Sequence, residues 1–470
     1  MSADKQKFLE LGELPVGALL WEYALPAIIA MTASSLYNII DGIFIGQGVG
    51  AEAIMGLALT APIMSMTAAF GAMVGVGGST LMSVRLGQRD YQTAQDILDN
   101  IVFLNVVMGL GLGLLLQAFL EPILRFFGAS DVTLKPAYDF MTIILFGNIV
   151  THLYLGMNAL LRSTNRPRQA MIATIGTVVC NCMLAPLFIF VFGWGIRGAA
   201  AATVTSQFLM LCWQLRLFSD PDNLVHLHRG RLHLNASIMQ KALYVGLPQF
   251  LVNLCACLVA VVMTRSLTYY GSLMPMGGDV AVGGYGISNR IVLFIFMVVI
   301  GINQGMQPIA GYNFGAQKFD RLLQVLYKAL LFGTGFMVVG WTVIQVFATP
   351  LATLFAKDSP ELIAQAAHSL RINAAVFPLV AVQVITVSFF QSIGQAGKSI
   401  FHSLTRQLLF LVPLVLVLPT VFSNKVDGVL AALPVSDLLS FIVAVAMLIW
   451  QVRKFKQVIP NTKIEKNNHL

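Results

Sequence analysis

The sequence predicts an all-α polytopic membrane protein, with twelve transmembrane helices in two six-helix lobes related by pseudo-two-fold symmetry along the membrane normal. Of its 470 residues, 57% are hydrophobic and only 11% are charged, whereas soluble domains carry about 25% charged residues. Apolar runs recur along the whole chain, each able to cross a hydrocarbon core of about 30 Å as a helix of about 20 residues. The two halves of the chain also share motifs at a nearly constant spacing.

The apolar runs and the turn-forming residues between them divide the chain into spans and connections. The longest interior connection is rich in Pro, Asn, His and Arg and predicts a cytoplasmic linker between the lobes. The predicted units are an N-lobe at 1–217, this linker at 218–240, a C-lobe at 241–454 and a cytoplasmic tail at 455–470. The twelve predicted spans are 20–44, 54–80, 95–119, 137–161, 168–192, 196–217, 241–267, 281–308, 321–347, 364–391, 398–422 and 429–452.

The distribution of lysine and arginine predicts the orientation. Of the 29 basic residues, 21 fall in the chain termini and alternate connections, among them Arg162 and Arg406, and seven fall in the remaining connections. Arg290 lies within a span. Because cytoplasmic segments carry the excess of Lys and Arg, both termini are expected inside the cell, in the inner membrane of a bacterium.

An internal repeat relates the two halves. Pro26 and Pro248 each follow a leucine and lie 222 residues apart, and Gly87 and Gly315 lie in similar loop sequences 228 residues apart. Six spans separate equivalent points, an even number, so the repeats share one orientation. Parallel repeats are related by an axis along the membrane normal, with the transport site between them.

The first span carries a polar face. Ser34, Tyr37, Asn38 and Asp41 recur at helical spacing, and Asp41 is interpreted as the only acid well inside a span. An ionisable residue within a span is costly and marks a functional site by default. Burial disfavours the charged carboxylate, so Asp41 is predicted to bind a proton at one side and release it at the other. Its equivalent in the second half is Met263, so the acid is not repeated.

Several motifs resemble those of a known family. They are LPAII and LYNIIDGIFIG in the first span, LGQRDYQTA and LRSTNRPRQA after the second and fourth, NCMLAPLFIF in the fifth, WGIRGAAAATVTSQ in the sixth and QPIAGYNFGAQKFDR in the eighth. Together they resemble the multidrug and toxic compound extrusion (MATE) family, in its DinF-like and MepA-like bacterial branch, over about residues 14–454. The resemblance implies a secondary active antiporter that exports bulky, often cationic or amphipathic compounds by alternating access between two lobes.

The resemblance also implies which residues couple transport to a cation. Carried over to this sequence, they are Asp41, Asn181 and Thr203, and a second acid of the family pattern falls at Ala185. With one carboxylate instead of two, a sodium site loses an oxygen ligand and half its negative charge. We therefore expect proton coupling through Asp41, with sodium coupling as the alternative. No cofactor is expected beyond a proton gradient or Na⁺.

Further polar residues are candidates for the cavity or for support of the coupling site. Each also has a packing interpretation, because polar side chains commonly form hydrogen bonds between membrane helices. Pro26 is a candidate hinge, and the roles of His152 and Arg290 are open. The supporting or cavity-lining candidates are Ser34, Tyr37, Asn38, Asn148, Tyr154, Asn158, Thr177, Ala185, Tyr285, Asn289 and Arg290.

Other functions are less consistent with the sequence. A lipid-linked oligosaccharide flippase is the alternative transporter, but for an anionic lipid it needs several inward-facing basic residues, and only Arg290 is interpreted as embedded in a helix. An enzyme needs a catalytic constellation within the spans, and the sequence shows none. The expected partners are small organic substrates and membrane lipids, without nucleic acid, and the protein is expected to function as a monomer. The identity of the substrate is left open.

Overall fold

A computed structural model describes residues 10–49, 51–227, 233–275, 277–355 and 359–467. These residues form helices and connections, and no strand occurs among them. The helices are α1 (Val16–Gly48), α2 (Ala51–Gly87), α3 (Tyr91–Ala118), a short helix (Leu120–Phe126), α4 (Asp131–Phe146 and Asn148–Ser163), α5 (Pro167–Pro186, extended by a π-helical turn, Leu187–Val191), α6 (Gly195–Phe218), α7 (Ala236–Ser272), α8 (Gly277–Gly315), α9 (Phe319–Thr353), α10 (Pro360–Asn373 and Phe377–Ser392), α11 (Ala396–Leu404, a π-helical stretch Thr405–Leu411, and Val412–Val421) and α12 (Lys425–Asn467).

All twelve predicted helices are present among the described residues. Nine are long and apolar enough to cross a membrane as single helices, and two more qualify when the bent pairs of α4 and α10 each count as one span. The remaining helix, α6, has 24 residues and packs against α4 and α5. Helices α1–α6 form the first lobe and α7–α12 the second. The domain boundaries at 217, 240 and 454 stay predictions.

Two helices predicted as continuous are broken. The pieces of α4 and of α10 each meet at an angle of 55°. In α4 the break is at Gly147, where a methyl side chain would lie 2.4 Å from Val204. In α10 the second piece begins with Phe377 and Pro378, and proline lacks the N–H that continues a helix from the preceding turn. The breaks occupy corresponding positions in the two lobes, as expected for a repeat.

The lobes meet through reciprocal glycine contacts. A methyl group on Gly87 would lie 2.0 Å from the carbonyl oxygen of Tyr312, and a methyl group on Gly315 would lie 2.0 Å from that of Val84. Positions 84 and 312, like 87 and 315, are 228 residues apart, which is the spacing of the sequence repeat. The contact therefore maps onto itself when the lobes are exchanged, as a two-fold axis requires.

These contacts lie near one face of the protein, here called the basic face, on which the connections 88–90, 164–166, 316–318 and 393–395 lie. A second close approach in the same half joins α2 to α7, where a methyl group on Gly77 would lie 1.9 Å from the carbonyl oxygen of Ala242. The tightest packing between the lobes is thus found toward the basic face.

The connection between the lobes is held by the N-lobe. The side chain of Gln95 donates to the carbonyl oxygen of His226 (2.7 Å) and accepts from its N–H (3.0 Å). Asn100 donates to the carbonyl oxygen of His233 (2.8 Å) and accepts from the N–H of Asn235 (2.7 Å). Two amides at the start of α3 thus hold the connection on both sides of residues 228–232.

We predict that Gly77→Val lowers the melting temperature of the purified protein. The larger side chain meets the backbone of α7, and overpacking of this kind costs about 1–3 kcal/mol. Gly111→Val is the matched control, because a side chain at Gly111 on α3 meets no atom within 4 Å. An unchanged melting temperature for Gly77→Val, measured by tryptophan fluorescence in detergent, contradicts the close approach of the lobes.

Candidate functional site

A polar cluster in the first lobe brings together side chains from α1, α5 and α6. The hydroxyl of Thr203 accepts a hydrogen bond from Asn181 Nδ2 (3.0 Å) and donates its own proton to the carbonyl oxygen of Ala199 (3.1 Å). The hydroxyl of Tyr37 lies 3.3 Å from the same oxygen. The same Tyr37 hydroxyl also interacts with the Asp41 side chain, so it joins Asp41 to Thr203. Tyr37, Asp41, Asn181 and Thr203 are called the N-lobe cluster below.

Asp41 lies one helical turn after Tyr37, next to its hydroxyl. Its side chain is half-buried, and its Oδ1 atom has no hydrogen-bond partner among the described residues. The same holds for Oδ1 of Asn181. The cluster therefore offers unpaired oxygen atoms and one carboxylate, which is suited to taking up a proton or a small cation. The described residues contain no group of three or more His, Cys, Asp or Glu side chains that could hold a metal ion.

The position of the missing second acid is apolar. Ala185 on α5 is fully buried and belongs to a hydrophobic cluster with Ile45, Ile189 and Ala199. Alanine thus replaces the second acid of the family pattern at a position within an apolar cluster. Asp41 is the only acid of the N-lobe cluster.

The interpretation of Asp41 as the only acid deep in a span is wrong. Asp437 on α12 is 4% exposed and accepts a hydrogen bond from Nε of Arg406 on α11 at 2.6 Å. This carboxylate is neutralised by an arginine, whereas Asp41 has no ion pair within the described residues. Met263, the C-lobe equivalent of Asp41, is fully buried in an apolar cluster.

A cavity of about 420 Å³ lies between the two lobes, within the range typical of small-molecule sites. Ser34, Tyr154 and Asn158, predicted as candidates, are among its N-lobe lining residues. The C-lobe contributes amide side chains, of which six are glutamines: Gln249, Gln304, Gln307, Gln383, Gln391 and Gln407.

Two arginines line this cavity, and sequence reasoning missed both. Arg162 and Arg406 were assigned to cytoplasmic segments, but Arg162 lies in the last turn of α4 and Arg406 lies within α11, and both side chains line the cavity. The lining includes no aspartate or glutamate among the described residues. The argument against a flippase, that only Arg290 is embedded, no longer holds.

Four other predicted residues lie outside both sites. Asn148 is buried and donates to the carbonyl oxygen of Gly109 (3.1 Å), which joins α3 to α4. Tyr285 is partly buried against the apolar cluster of the C-lobe. Asn289 and Arg290 are exposed on α8. The packing interpretation fits Asn148 and Tyr285 better than a role in the cavity.

The remaining candidates have mixed outcomes. Thr177 donates to the carbonyl oxygen of Ala173 within its own helix (2.9 Å). The Nε2 atom of His152 lies 3.0 Å from the carbonyl oxygen of Thr67, and the ring is fully buried. Pro26 lies inside α1, which runs as one helix. The side chain of Asn38 lies outside the part of the chain that the structure describes.

Two parallel helical lobes with a polar cavity between them form an architecture of secondary transporters. The comparisons assign the family: the sequence matches MatE over residues 26–187 and 248–417, one segment in each lobe. The chain belongs to the MatE family, and the predicted family is confirmed.

Curated relatives extend along the whole chain. It is 25% identical to the multidrug export protein MepA of Staphylococcus haemolyticus (strain JCSC1435) over 92% of this chain and 93% of that protein. It is 24% identical to MepA of Staphylococcus aureus (strain NCTC 8325 / PS 47) over 93% of each.

Solved structures confirm the fold class. An outward-facing multidrug resistance MATE family transporter of the MOP superfamily superposes with a TM-score of 0.89 at 22% identity, over 95% of this chain and 98% of that one. A MATE structure in a bent conformation gives a TM-score of 0.89 at 21% identity, over 97% and 99%. The two six-helix lobes predicted from the sequence are therefore the fold of this chain.

We predict that Thr203→Val destabilises the protein and that Thr203→Ser does not. Valine removes the oxygen that accepts from Asn181 and contacts the hydroxyl of Tyr37, and hydrogen bonds between membrane helices are worth about 1 kcal/mol. Serine keeps that oxygen and serves as the matched control. The melting temperatures of the two variants are the measurement, and equal values contradict the central position of the Thr203 hydroxyl in the cluster.

Proposed function

We propose that this protein is a secondary active antiporter that exports bulky amphipathic organic compounds in exchange for protons. Asp41 is the coupling carboxylate, and the cavity between the lobes binds the exported compound. The observation that carries the proposal is the N-lobe cluster, in which a carboxylate within a membrane helix has a buried oxygen without a hydrogen-bond partner in the described part of the chain. The curated relatives support the same class of activity, since both are multidrug export proteins by name.

Asp41 has the chemistry that proton exchange requires. A protonated carboxyl group is neutral and can donate a hydrogen bond, whereas the carboxylate only accepts. Asn181 directs its amide protons toward Thr203, and Oδ1 of Asp41 has no donor among the described residues, so the ionised form is incompletely stabilised. Uptake of a proton removes an uncompensated charge from the helix bundle. Asn181 and Thr203 hold the cluster together and act as positioning residues.

Sodium is the alternative coupling ion. Oxygen atoms are the ligands of hard cations, and the cluster has unpaired oxygens on both Asp41 and Asn181. The single carboxylate and the apolar surroundings of Ala185 favour the proton. A proton needs one basic oxygen, whereas a sodium ion needs several ligands at once.

The packing of the lobes fits alternating access. The tightest glycine contacts between the lobes lie toward the basic face, so this face is the closed one and the cavity is reached from the other side. Helix α1 begins and helix α12 ends at the basic face, which we place in the cytoplasm. The protein is a multi-pass membrane protein, and we assign it to the inner membrane of a bacterium, acting as a monomer.

We predict that Asp41→Asn abolishes proton-driven export. Asparagine keeps the size of the side chain but cannot exchange a proton, so the expected loss is on the order of 10- to 100-fold. Transport of a fluorescent amphiphile is measured in proteoliposomes under a pH gradient and, separately, under a sodium gradient. Asp139→Asn is the matched control, because Asp139 pairs with the exposed Arg197 at 2.8 Å, away from the cluster.

The two gradients separate the coupling ions. Export by the native protein that responds only to sodium overturns proton coupling. Export by Asp41→Asn at the native rate across the pH range overturns the role of Asp41. Under sodium coupling, Asn181→Ala loses transport together with Asp41→Asn, because both side chains would supply ligands.

A further inference from the structure

We infer that the central cavity selects amphipathic compounds that carry an anionic group, such as a carboxylate, sulfonate or phosphate, and that Arg162 binds this group. The inference rests on the proposed export function and names the substrate class for it. It differs from the expectation of cationic substrates that the family resemblance implies.

Arg162 presents an uncompensated positive charge to the cavity. Its side chain reaches the cavity from the last turn of α4. Its guanidinium group has five N–H donors, of which one is bonded to Oδ1 of Asn158 at 2.5 Å. No carboxylate pairs with Arg162 within the described part of the chain. A charge away from bulk water without a partner is costly, and an anionic ligand would supply that partner.

Asn158 orients this arginine. Its Nδ2 atom donates to the carbonyl oxygen of Ala170 (3.0 Å) and to the hydroxyl of Thr174 (3.2 Å). With both contacts made by the amide nitrogen, the oxygen is left to accept from Arg162. The guanidinium group is thereby fixed from one side, and its remaining N–H groups are available for a planar anion, which guanidinium binds in a bidentate manner.

The rest of the lining does not cancel this charge. Arg406 is the second charged lining residue, and Asp437 behind it balances its charge. The glutamine side chains are neutral, and each can offer a substrate either its N–H donors or its carbonyl acceptor. The lining therefore carries a net positive charge from Arg162.

The apolar part of the cavity accounts for the amphipathic requirement. Met31 and Val76 from the N-lobe and Phe296 and Ile300 from the C-lobe line the same cavity as Arg162. An apolar body can pack between these side chains while an anionic end reaches the guanidinium group. A hydrophilic anion would leave the apolar surfaces without a partner, so a small inorganic anion is a poor substrate.

The net charge that crosses the membrane in each transport cycle depends on the charge of the exported compound. When one proton enters for each monovalent anion that leaves, two positive charges move inward per cycle. When one proton enters for each monovalent cation that leaves, no net charge moves. Export of anions is therefore accelerated by a membrane potential that is negative inside, and export of cations is not.

The experiment compares two probes with one fluorophore in proteoliposomes. The first is a dansyl amino acid, which is anionic, and the second is dansylcholine, which is cationic. We expect faster transport of the anionic probe, with acceleration by an inside-negative potassium diffusion potential. Arg162→Gln should lower the rate for the anion by about tenfold or more, the effect of losing one charged hydrogen bond. Arg162→Lys should retain part of the rate, since it keeps the charge.

Matched variants separate a cavity effect from a general one. Arg168→Gln removes a charge from an exposed position on the basic face and should leave both probes unaffected. The rate for dansylcholine should not fall in Arg162→Gln, which also shows that the variant is folded. Asn158→Ala should raise KM for the anionic probe more than it lowers kcat, since it loosens the guanidinium group without removing its charge.

The outcomes are distinct for the two proposals. Transport of dansylcholine but not of the anionic probe overturns the anion inference and keeps the export function, whereas transport of neither probe under any gradient overturns the export function itself. Equal anion transport by Arg162→Gln and the native protein overturns the role of Arg162. A parallel assay with fluorescent phosphatidylglycerol in the vesicle membrane distinguishes lipid from soluble anions: Arg162-dependent movement of the lipid assigns the anionic group to a headgroup.

Discussion

The arrangement of this protein depends on backbone contact between its two lobes at glycine residues. At Gly77, Gly87 and Gly315 the helices of one lobe approach the carbonyl groups of the other so closely that no side chain fits. Such contacts maximise packing where lipid offers no hydrophobic driving force for association. They are reciprocal, so they set the two-fold relation, and they lie toward the basic face. The cavity between the lobes is lined by α1, α2, α4 and α5 of the first lobe and by α7, α8, α10 and α11 of the second.

The second constraint is the cost of charge in a membrane, and three arrangements meet it differently. Arg406 and Asp437 form an ion pair. Asp41 lies in a cluster that leaves one of its oxygens without a hydrogen-bond donor. Arg162 is bonded to a neutral amide and faces the cavity. Of these three arrangements, only Arg406 and Asp437 neutralise each other's charge among the described residues. A proton on Asp41 or an anionic ligand at Arg162 would therefore change the electrostatic energy most.

The sequence predicted the spans well because hydrocarbon thickness imposes a length on every apolar run. The family pattern named Asn181 and Thr203 together, and these two side chains are in contact; Tyr37 was a candidate from its helical spacing with Asp41. Local sequence could not place Arg162, since an arginine at a helix end looks the same whether it faces water or a cavity. Asp437 lies within the predicted span 429–452, but its pairing with Arg406 is a tertiary contact between residues distant in sequence. The bend at Gly147 depends on Val204, a tertiary contact that helix periodicity does not contain.

The two sites are connected by the helices that carry them. Ser34 lines the cavity and Asp41 follows seven residues later on α1, while Thr174 lines the cavity and Asn181 follows seven residues later on α5. Seven residues are about two turns, or about 10 Å along one helix face. A shift of either helix on neutralisation of Asp41 therefore reaches the cavity wall directly. Proton binding and substrate binding are coupled when the proton at the N-lobe cluster and the substrate in the cavity favour different positions of α1 and α5. Both sites lie on these two helices, so one movement affects both.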